Sequence, residues 1–221
     1  MQSVGWLAVI TTFISPLPVD VWGVVPCSGR SSRMGTPKAM LDAGGRTFLE
    51  CVISSLHRGG CRRVLVSLPS TKGPVAAKAR GAGAIVVENP CPEEGPIGSL
   101  RAALRVVRLD VEGVAFCPVD HPLIQVETVR ALVTEFADND GPLVVPTFRG
   151  KRGHPVLFRR NLFDELLNTE LPEGARTVVH NHLHAIAEVP VEDNGIVTDI
   201  DDLSDYRRHF PRQYRLRFQS R

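Results

Sequence analysis

The sequence predicts an α/β fold, a single domain of three α/β/α layers around a mostly parallel sheet. Short apolar runs, typical of strands buried on both faces, alternate with segments of helical periodicity along most of the chain. The 221 residues suit one large domain with a sizeable core better than two small ones. No linker, internal repeat or low-complexity tract divides the chain. Strands and helices that alternate in this way place helices on both faces of the sheet.

The individual elements follow from the apolar runs and from helix signals at their ends. Thr47 is a typical N-cap for the first helix, and Gly59-Gly60 is a typical end for it. The expected strands cover residues 21–25, 63–68, 84–88, 113–118, 143–146, 155–158 and 186–190. The expected helices cover about 47–57, 75–80, 97–107, 126–137, 161–167 and 175–180.

Charge is distributed unevenly, although the net formal charge is only +2. Residues 206–221 contain six arginines and no acidic residue. Such a segment suits either an anionic partner or a solvated, poorly ordered terminus. We favour the second because no aromatic–basic repeat or nucleic-acid module accompanies it, and we expect no nucleic-acid partner. The predicted organisation is an N-terminal extension over 1–20, a main domain over 21–206 and a basic tail over 207–221.

Cysteine usage and the N-terminal segment bear on the cellular compartment. The five cysteines show no C-x-x-C and no metal-type spacing, which favours reduced thiols over a disulfide framework. Residues 6–14 are apolar but too few to span a bilayer. No cation precedes them and no small-x-small cleavage site follows. We therefore expect a cytoplasmic protein with no membrane role.

A Gly/Ser loop after the first strand carries two cations, Arg33 and Lys38. Glycines let backbone N–H groups approach a phosphate closely, and cations neutralise the remaining charge. The loop lacks Gly-Lys-Ser/Thr and does not have the spacing G-x-G-x-x-G, so neither the Walker A nor the dinucleotide pattern fits. The sequence therefore predicts a triphosphate-binding loop of another kind.

This loop resembles the signature L-A-A-G-x-S-x-R-M-G-x-x-K of the molybdopterin cytidylyl- and guanylyltransferases and, more distantly, of the sugar-phosphate nucleotidyltransferases. Four later segments, and the one directly after the lysine, are similar to further motifs of that family in the same order. The loop positions that match are Gly29, Ser31, Arg33, Met34, Gly35 and Lys38. The other matching segments are 41–50, 95–101, 118–122, 152–158 and 199–202.

The resemblance implies a Rossmann-like nucleotidyltransferase sheet and assigns roles to individual residues. Arg33, Lys38 and Asp120 would be catalytic, the two cations by holding the triphosphate. Asp120, with Asp199 or Asp201 as a second carboxylate, would hold Mg²⁺, a hard cation that prefers carboxylates and substrate oxygens. The nucleotide-binding residues would be Cys27, Ser28, Gly29, Ser31, Arg33, Gly35, Lys38, Gly95, Gly98 and Ser99.

The acceptor substrate would bind at Arg152 and His154, where a cation and an imidazole beside a glycine turn suit a phosphate. Arg176 is a weaker candidate for the same role. Some of these assignments have simpler alternatives. Asp120 could cap a turn, the acidic segment 199–205 could begin a helix, and residues 95–99 could be plain loop geometry.

Two departures from the family pattern bear on the base and on chemistry at the loop. Pro26 and Cys27 replace Leu-Ala, and Ser28 stands where the cytidylyl branch has Ala and the guanylyl branch has Gly, so CTP and GTP both remain open. Loop amides could lower the pKa of the Cys27 thiol, but no orienting base lies nearby to make it a nucleophile.

The predicted reaction is transfer of a nucleoside monophosphate from CTP or GTP to a phosphorylated acceptor, with release of pyrophosphate. Molybdopterin is the acceptor that the resemblance implies, and a molybdoenzyme or chaperone is a conceivable partner. A phosphate nucleophile is already largely dianionic at neutral pH, so no general base is required. The alternatives are a sugar-phosphate nucleotidyltransferase and a non-catalytic nucleotide-binding module.

Three histidines, His180, His182 and His184, suggest a metal cluster at first sight. His180 and His184 would share a helix face. No acidic residue or cysteine is adjacent in the sequence, so surface histidines are the favoured interpretation over a zinc site.

Overall fold

The computed structural model of the chain describes residues 19–27 and 35–219. The predicted N-terminal extension lies almost entirely outside them, as do residues 28–34 of the phosphate loop. Strands and helices are numbered separately below in chain order.

One mixed sheet forms the middle layer. Its strands are β1 Val21–Pro26, β2 Arg63–Leu68, β3 Ile85–Glu88, β4 Gly113–Phe116, β5 Leu143–Phe148, β6 Lys151–Arg152, β7 Val156–Arg159 and β8 Ile186–Pro190. The order across the sheet is β3-β2-β1-β4-β7-β5, with β8 beside β5. Strands β3, β2, β1 and β4 are mutually parallel, and β5 is parallel to β8. The prediction of a mostly parallel sheet is confirmed.

The strand β7 interrupts the parallel order because it lies antiparallel between β4 and β5. The chain leaves β5, turns at Arg149-Gly150 and returns first as β6 and then as β7 against the same strand. Between β6 and β7 the residues Gly153, His154 and Pro155 leave the regular ladder. This interruption directs the segment toward the carboxyl end of β4.

Helices cover both faces of the sheet. They are α1 Phe48–Arg58, α2 Pro74–Gly81, α3 Pro96–Leu104, α4 Val126–Asp138, α5 Phe163–Leu167, α6 Ala175–Asn181, α7 Leu203–His209 and α8 Pro211–Phe218. Thr47 caps α1 as predicted, and Glu50 completes a reciprocal capping box with it.

Two apolar clusters, one on each face of the sheet, confirm the three-layer architecture. Alternation along β1 sends Val21 and Val25 into the first cluster and Trp22 and Val24 into the second. The first cluster contains the buried faces of α1, α2 and α4, and the second contains those of α3, α5 and α6.

The basic C-terminal segment is helical, contrary to the expectation of a poorly ordered terminus. Tyr206 is fully buried, and its hydroxyl donates a 2.7 Å hydrogen bond to the carbonyl of Asp42. Phe48 and Phe210 pack against its ring at centroid distances of 5.9 and 5.6 Å. The predicted division at residue 206 therefore falls inside α7. Aromatic side chains interleaved with the arginines supply the apolar face that orders this segment.

Across the described residues, no helix has both the length and the apolar character that crossing a bilayer requires.

Candidate active site

Lys38 stands at the carboxyl edge of the sheet, in a short 3₁₀ helix that follows the phosphate loop. Ala39 and Leu41 are buried in the core and fix this turn. Lys38 itself lies with its Nζ 3.5 Å from Asp120 Oδ2 and in a hydrogen-bonded ion pair with Asp201. The fold thus brings Lys38 to Asp120 from a position 82 residues away in the sequence.

Asp120 follows β4 at the same edge. Its Oδ1 atom is buried and has no hydrogen-bond partner among the described residues, the nearest imidazole nitrogen, His121 Nε2, being 3.8 Å away. A buried carboxylate oxygen with no partner is costly unless a ligand completes it. The alternative that Asp120 merely caps a turn is not favoured, because its side chain makes no such hydrogen bond with the described residues.

One part of the acidic segment 199–205 caps a helix, and the other part lies beside Asp120. Asp202 and Asp205 form a capping box at the start of α7. Asp201 pairs with Lys38, and the amide of Ile200 donates a 2.9 Å hydrogen bond to the carbonyl of Asp120. That backbone bond holds Asp199 and Asp201 beside Asp120.

The concentration of negative charge at Asp120, Asp199 and Asp201 suits a divalent cation. Burial raises the pKa of the Asp199 carboxyl, and the neighbouring Asp201 carboxyl acts in the same direction. Carboxylate oxygens are the ligands that hard cations prefer, and Mg²⁺ typically uses one or two of them together with substrate phosphates. Among the described residues no group of three or more acidic, histidine or cysteine side chains could hold an ion alone. Asp120 and Asp199 therefore fit a metal that is shared with a bound triphosphate.

Cys27 directly follows β1, and its amide donates to the carbonyl of Ser67 at 2.9 Å. Burial raises the pKa of its thiol far above the usual value, and the charge of Asp120 raises it further. The suggestion that loop amides would lower this pKa is not supported by the described residues. The thiol is protonated at neutral pH and is not a nucleophile.

The predicted base-side turn begins α3. Gly95 has φ +70° and no atom near its missing side chain, whereas a Cβ on Gly98 would lie 2.6 Å from the carbonyl oxygen of Cys91. Ser99 is fully buried, and its hydroxyl pairs with the Asn89 amide at 3.2 Å. A nucleotide would therefore meet this turn through backbone groups near Gly95, not through the Ser99 side chain.

Arg101 supports that turn, a role that sequence analysis did not identify. Its guanidinium is buried, lies 2.7 Å from Glu94 Oε2 and donates to the carbonyls of Leu166 and Asn168. Only its place in the matched segment 95–101 could have drawn attention to it, since a helical arginine is normally solvated.

A cavity of about 1120 Å³ adjoins the carboxylates, and we call it the acceptor cavity. It is bounded by the start of α3, the end of β4, the segment from β5 to β7, and α6. Both predicted acceptor residues, Arg152 and His154, line it, as do Arg176 and Asp199. The Arg152 guanidinium forms an ion pair with Glu188 at 2.6 Å, a partner from β8 that the sequence did not indicate.

His154 differs from the phosphate-binding cation that its sequence context suggested. Burial, with a smaller contribution from the nearby imidazole of His121, lowers its pKa to about 4. The side chain is therefore neutral at physiological pH and brings no charge to a phosphate.

His180 lines the acceptor cavity, and His182 and His184 follow it in the chain. The fold supplies acidic neighbours that the sequence did not reveal: Glu165 lies 2.7 Å from His182 Nε2, and Glu173 lies 3.4 Å from His180 Nδ1. These are pairwise contacts, and within the described residues they form no metal cluster.

Ser28, Gly29, Ser31 and Arg33 lie outside the described residues, so their assignment to the triphosphate stays a prediction. Gly35, at the end of the loop, has φ +62°, a conformation that glycine adopts without strain.

Comparison with known proteins finds several relatives by sequence. The chain is 30% identical over 177 residues to a molybdenum cofactor guanylyltransferase of Rhizobium meliloti, which is 76% of this chain and 78% of that protein. It is 29% identical over 183 residues to a 2-C-methyl-D-erythritol 4-phosphate cytidylyltransferase of Frankia casuarinae, covering 79% and 67%. It is also 26% identical over 200 residues to a nicotine blue oxidoreductase of Paenarthrobacter nicotinovorans, covering 85% and 95%.

Among solved structures, Rv0371c of Mycobacterium tuberculosis H37Rv superimposes with a TM-score of 0.71 at 29% identity, over 87% of this chain and 98% of that one. A structure of Rv0371c in complex with manganese gives a TM-score of 0.68 at 26% identity, over 88% and 100%. Residues 23–186 match the family described as the MobA-like NTP transferase domain. The chain therefore belongs to the MobA-like NTP transferase domain family and is an enzyme of the nucleotidyltransferase type.

Proposed function

We propose that this enzyme transfers a nucleoside monophosphate from CTP or GTP to a phosphorylated acceptor, with molybdopterin as the first candidate, and releases pyrophosphate. The observation that carries the proposal is the meeting of Lys38 with Asp120, whose buried Oδ1 has no hydrogen-bond partner among the described residues. A cation and an incompletely coordinated carboxylate at one edge of the sheet suit a polyanion that arrives with a divalent ion.

In the proposed reaction an oxygen of the acceptor's phosphate forms a bond to the α-phosphorus of the nucleotide. The bond between the α-phosphorus and the bridging oxygen to the β-phosphorus breaks, and its electron pair leaves with pyrophosphate. Charge neutralisation and positioning supply most of the rate enhancement in such a transfer. The role of Lys38 is to exchange its ion pair with Asp201 for contacts to the phosphates.

Asp120 and Asp199 are the residues that we propose to hold Mg²⁺. When bound, the ion would neutralise phosphate charge and orient the α-phosphate for in-line attack. The support comes from this chain's carboxylates and from the manganese complex of Rv0371c, a relative by structure. Asp201 is assigned instead to Lys38, because the two side chains are hydrogen bonded.

The names of two relatives point to alternative functions. The cytidylyltransferase relative names 2-C-methyl-D-erythritol 4-phosphate, so a smaller sugar-type acceptor is the nearest rival within the same chemistry. The alignment with the oxidoreductase relative covers 95% of that protein. A redox reaction is therefore the rival to nucleotidyl transfer from a different class of chemistry. The sequence lacks the G-x-G-x-x-G pattern for a dinucleotide, which favours transfer over redox chemistry.

The decisive experiment measures pyrophosphate release from each of CTP, GTP, ATP and UTP, with and without Mg²⁺. The acceptors are molybdopterin, 2-C-methyl-D-erythritol 4-phosphate and a sugar 1-phosphate, and reduced nicotinamide dinucleotides are screened in parallel for oxidation. We expect Mg²⁺-dependent release with CTP or GTP and molybdopterin.

Asp120→Asn tests the site within this assay. Removing the charge while keeping the shape should reduce the rate at least about 100-fold, because the proposed metal loses a carboxylate ligand. Asp140→Asn is the matched control, since Asp140 is exposed and precedes β5 at the opposite edge of the sheet. Full activity in Asp120→Asn, or nucleotide binding without pyrophosphate release in the presence of each of these acceptors, would refute the proposal.

A further inference from the structure

Three cations with permanent charge line the acceptor cavity, and they differ in the partners that they already have. They are Lys151, Arg152 and Arg176. Lysine and arginine side chains stay protonated at neutral pH, unlike a typical imidazole. A phosphorylated acceptor that enters this cavity needs at least one of these charges as a hydrogen-bonded counter-ion. The existing contacts of each cation indicate which of them is available.

Arg152 already forms a close ion pair. Its Nε and Nη2 atoms lie 2.7 and 2.6 Å from the same carboxylate oxygen of Glu188. An anion that binds Arg152 must therefore displace this carboxylate or share the guanidinium with it, and two negative charges at that distance repel each other. The arginine that the sequence favoured for the acceptor phosphate is thus poorly placed to be its first contact.

Arg176 has no comparable partner. Its side chain is exposed, and with the described residues it forms no ion pair and no hydrogen bond. Glu173, which also lines the cavity, lies against His180 instead, 3.4 Å from its Nδ1 atom. The N–H donors of the Arg176 guanidinium are therefore available in the cavity, and their planar fork matches two oxygens of a phosphate.

The backbone places Arg176 beside the turn where we expect the nucleotide. Arg176 is the second residue of α6, and Val178 of the same helix is fully buried and anchors it in the core. A Cβ on Gly174, just before α6, would lie 3.1 Å from the Cβ of Ile97 in the first turn of α3. The start of α6 therefore touches the start of α3, next to Gly95. A phosphate held by Arg176 would lie on the nucleotide side of the cavity, as attack on the α-phosphorus requires.

Lys151 lacks this placement. It is exposed on the two-residue strand β6, directly after the turn at Arg149-Gly150. Its ammonium group is a point charge on a flexible stem, which neutralises an anion without fixing the orientation of that anion. Because transfer between two substrates depends on orientation, Lys151 suits general attraction of anions better than the positioning of one phosphate.

We propose that Arg176 binds the phosphate of the acceptor through its guanidinium, and that Arg152 stays paired with Glu188 and does not make this contact. The inference rests on the proposed function, because it assumes that the acceptor occupies this cavity. It reverses the order of the two arginines that the sequence suggested. The ligand that it specifies is a phosphate monoester with at least two free oxygens for the guanidinium fork.

The first test measures binding without turnover. The nucleotide site is filled with Mg²⁺ and the α,β-methylene analogue of CTP or GTP, which cannot release pyrophosphate. Inorganic phosphate and glucose 1-phosphate are then titrated as probes by calorimetry. Arg176→Ala should raise the Kd of at least one probe about 10-fold or more, because a charge-assisted hydrogen bond is lost. Its thermal denaturation should match that of the wild-type protein, because the side chain is exposed.

Two control variants separate this contact from a general effect of charge. Arg105→Ala removes one positive charge at the far end of α3. The double variant Arg152→Ala/Glu188→Ala removes the ion pair at constant net charge. Both should change the Kd of the probes less than about threefold, since neither removes the proposed contact.

An unchanged Kd for both probes in Arg176→Ala would overturn the inference. A larger loss in the double variant than in Arg176→Ala, or no saturable binding of either probe to the wild-type protein, would overturn it as well. These outcomes do not depend on pyrophosphate release, so failure here is distinct from failure of the proposed function.

The second test uses the acceptor found in the transfer assay. Arg176→Ala should raise the KM for that acceptor about 10- to 100-fold, with the KM for the nucleotide within about twofold. Arg176→Lys keeps the charge but not the fork, and it should restore part of the loss. Transfer with an unchanged acceptor KM in Arg176→Ala would leave the proposed function intact and refute the inference. A raised KM for the nucleotide alone would assign Arg176 to the triphosphate and would refute it too.

Discussion

The edge of the sheet where we propose that the nucleotide binds, called here the nucleotide edge, differs from the acceptor cavity in its physical character. At the nucleotide edge, the ammonium group of Lys38 pairs with the carboxylates of both Asp120 and Asp201. In the acceptor cavity, His154 is neutral at physiological pH and lies beside the rings of Phe116 and His121. Permanent charges suit any triphosphate, whereas aromatic and apolar walls discriminate between acceptors by shape. The comparison suggests that rate depends on the first region and acceptor choice on the second.

The largest expected effect comes from Lys38→Ala, which removes the cation from the nucleotide edge. Pyrophosphate release should fall about 100- to 1000-fold, because charge on the α-phosphoryl group and the leaving group loses its fixed counter-charge. Thermal denaturation should change little, because the 3₁₀ turn is held by Ala39 and Leu41. Lys72→Ala, on an exposed loop, is the control. Retained activity would show that charge at this edge does not determine the rate.

The next effect concerns stability and pH in the acceptor cavity. In the unfolded chain His154 binds a proton as the pH falls through about 6.5, while in the folded protein its pKa is about 4. The unfolded state therefore binds more protons between these values, and the free energy of unfolding should fall on the order of 3 kcal/mol as the pH drops from 6.5 to 4.

His154→Phe removes this contribution, so its unfolding free energy should depend less steeply on pH over the same window. Urea unfolding of both proteins at pH 7 and pH 4.5 measures the difference. Parallel pH dependence of the two proteins would mean that the folded ring titrates normally.

A smaller effect is expected where the acceptor cavity meets the carboxylate segment. A Cβ on Gly153 would lie 2.2 Å from the carbonyl oxygen of Ile196, so Gly153→Ala must displace one of these segments. We expect a loss of about 1–3 kcal/mol in stability and a higher KM for the acceptor, with nucleotide affinity unchanged. Gly81→Ala is the control, because no atom lies near its missing side chain. An equal change in nucleotide affinity would argue against separate regions.

The smallest effect is expected from Glu188→Gln at the cavity rim. The Arg152–Glu188 pair is substantially exposed, with side chains 40% and 46% accessible, so solvent screens it. Its loss should change stability by less than about 1 kcal/mol. Releasing Arg152 should lower, not raise, the KM for an anionic acceptor by a few-fold, as measured in the transfer assay. A raised KM would indicate that Glu188 positions Arg152 for binding.

Sequence reasoning worked best where local signals agree with the tertiary structure. Strand β2 has the predicted bounds of Arg63–Leu68, and Thr47 caps α1 as expected. The prediction of a poorly ordered segment after residue 206 was wrong, because it rested on the arginines and not on the packing of the aromatic residues between them. Tyr206 and Phe210 bury their rings against Phe48, which is 158 residues away from Tyr206 and therefore invisible to a local pattern.

The sequence by itself determined the alternation of strands and helices, the phosphate-loop motif and the chemical types of the charged residues, because these depend on local spacing and on side-chain identity. Only the tertiary structure decided that β7 enters the sheet between β4 and β5, that Asp201 belongs to Lys38, and that His154 is neutral. Strand order, ion pairing and pKa depend on which distant groups come together and on how far water is excluded from them, and neither is encoded in local spacing.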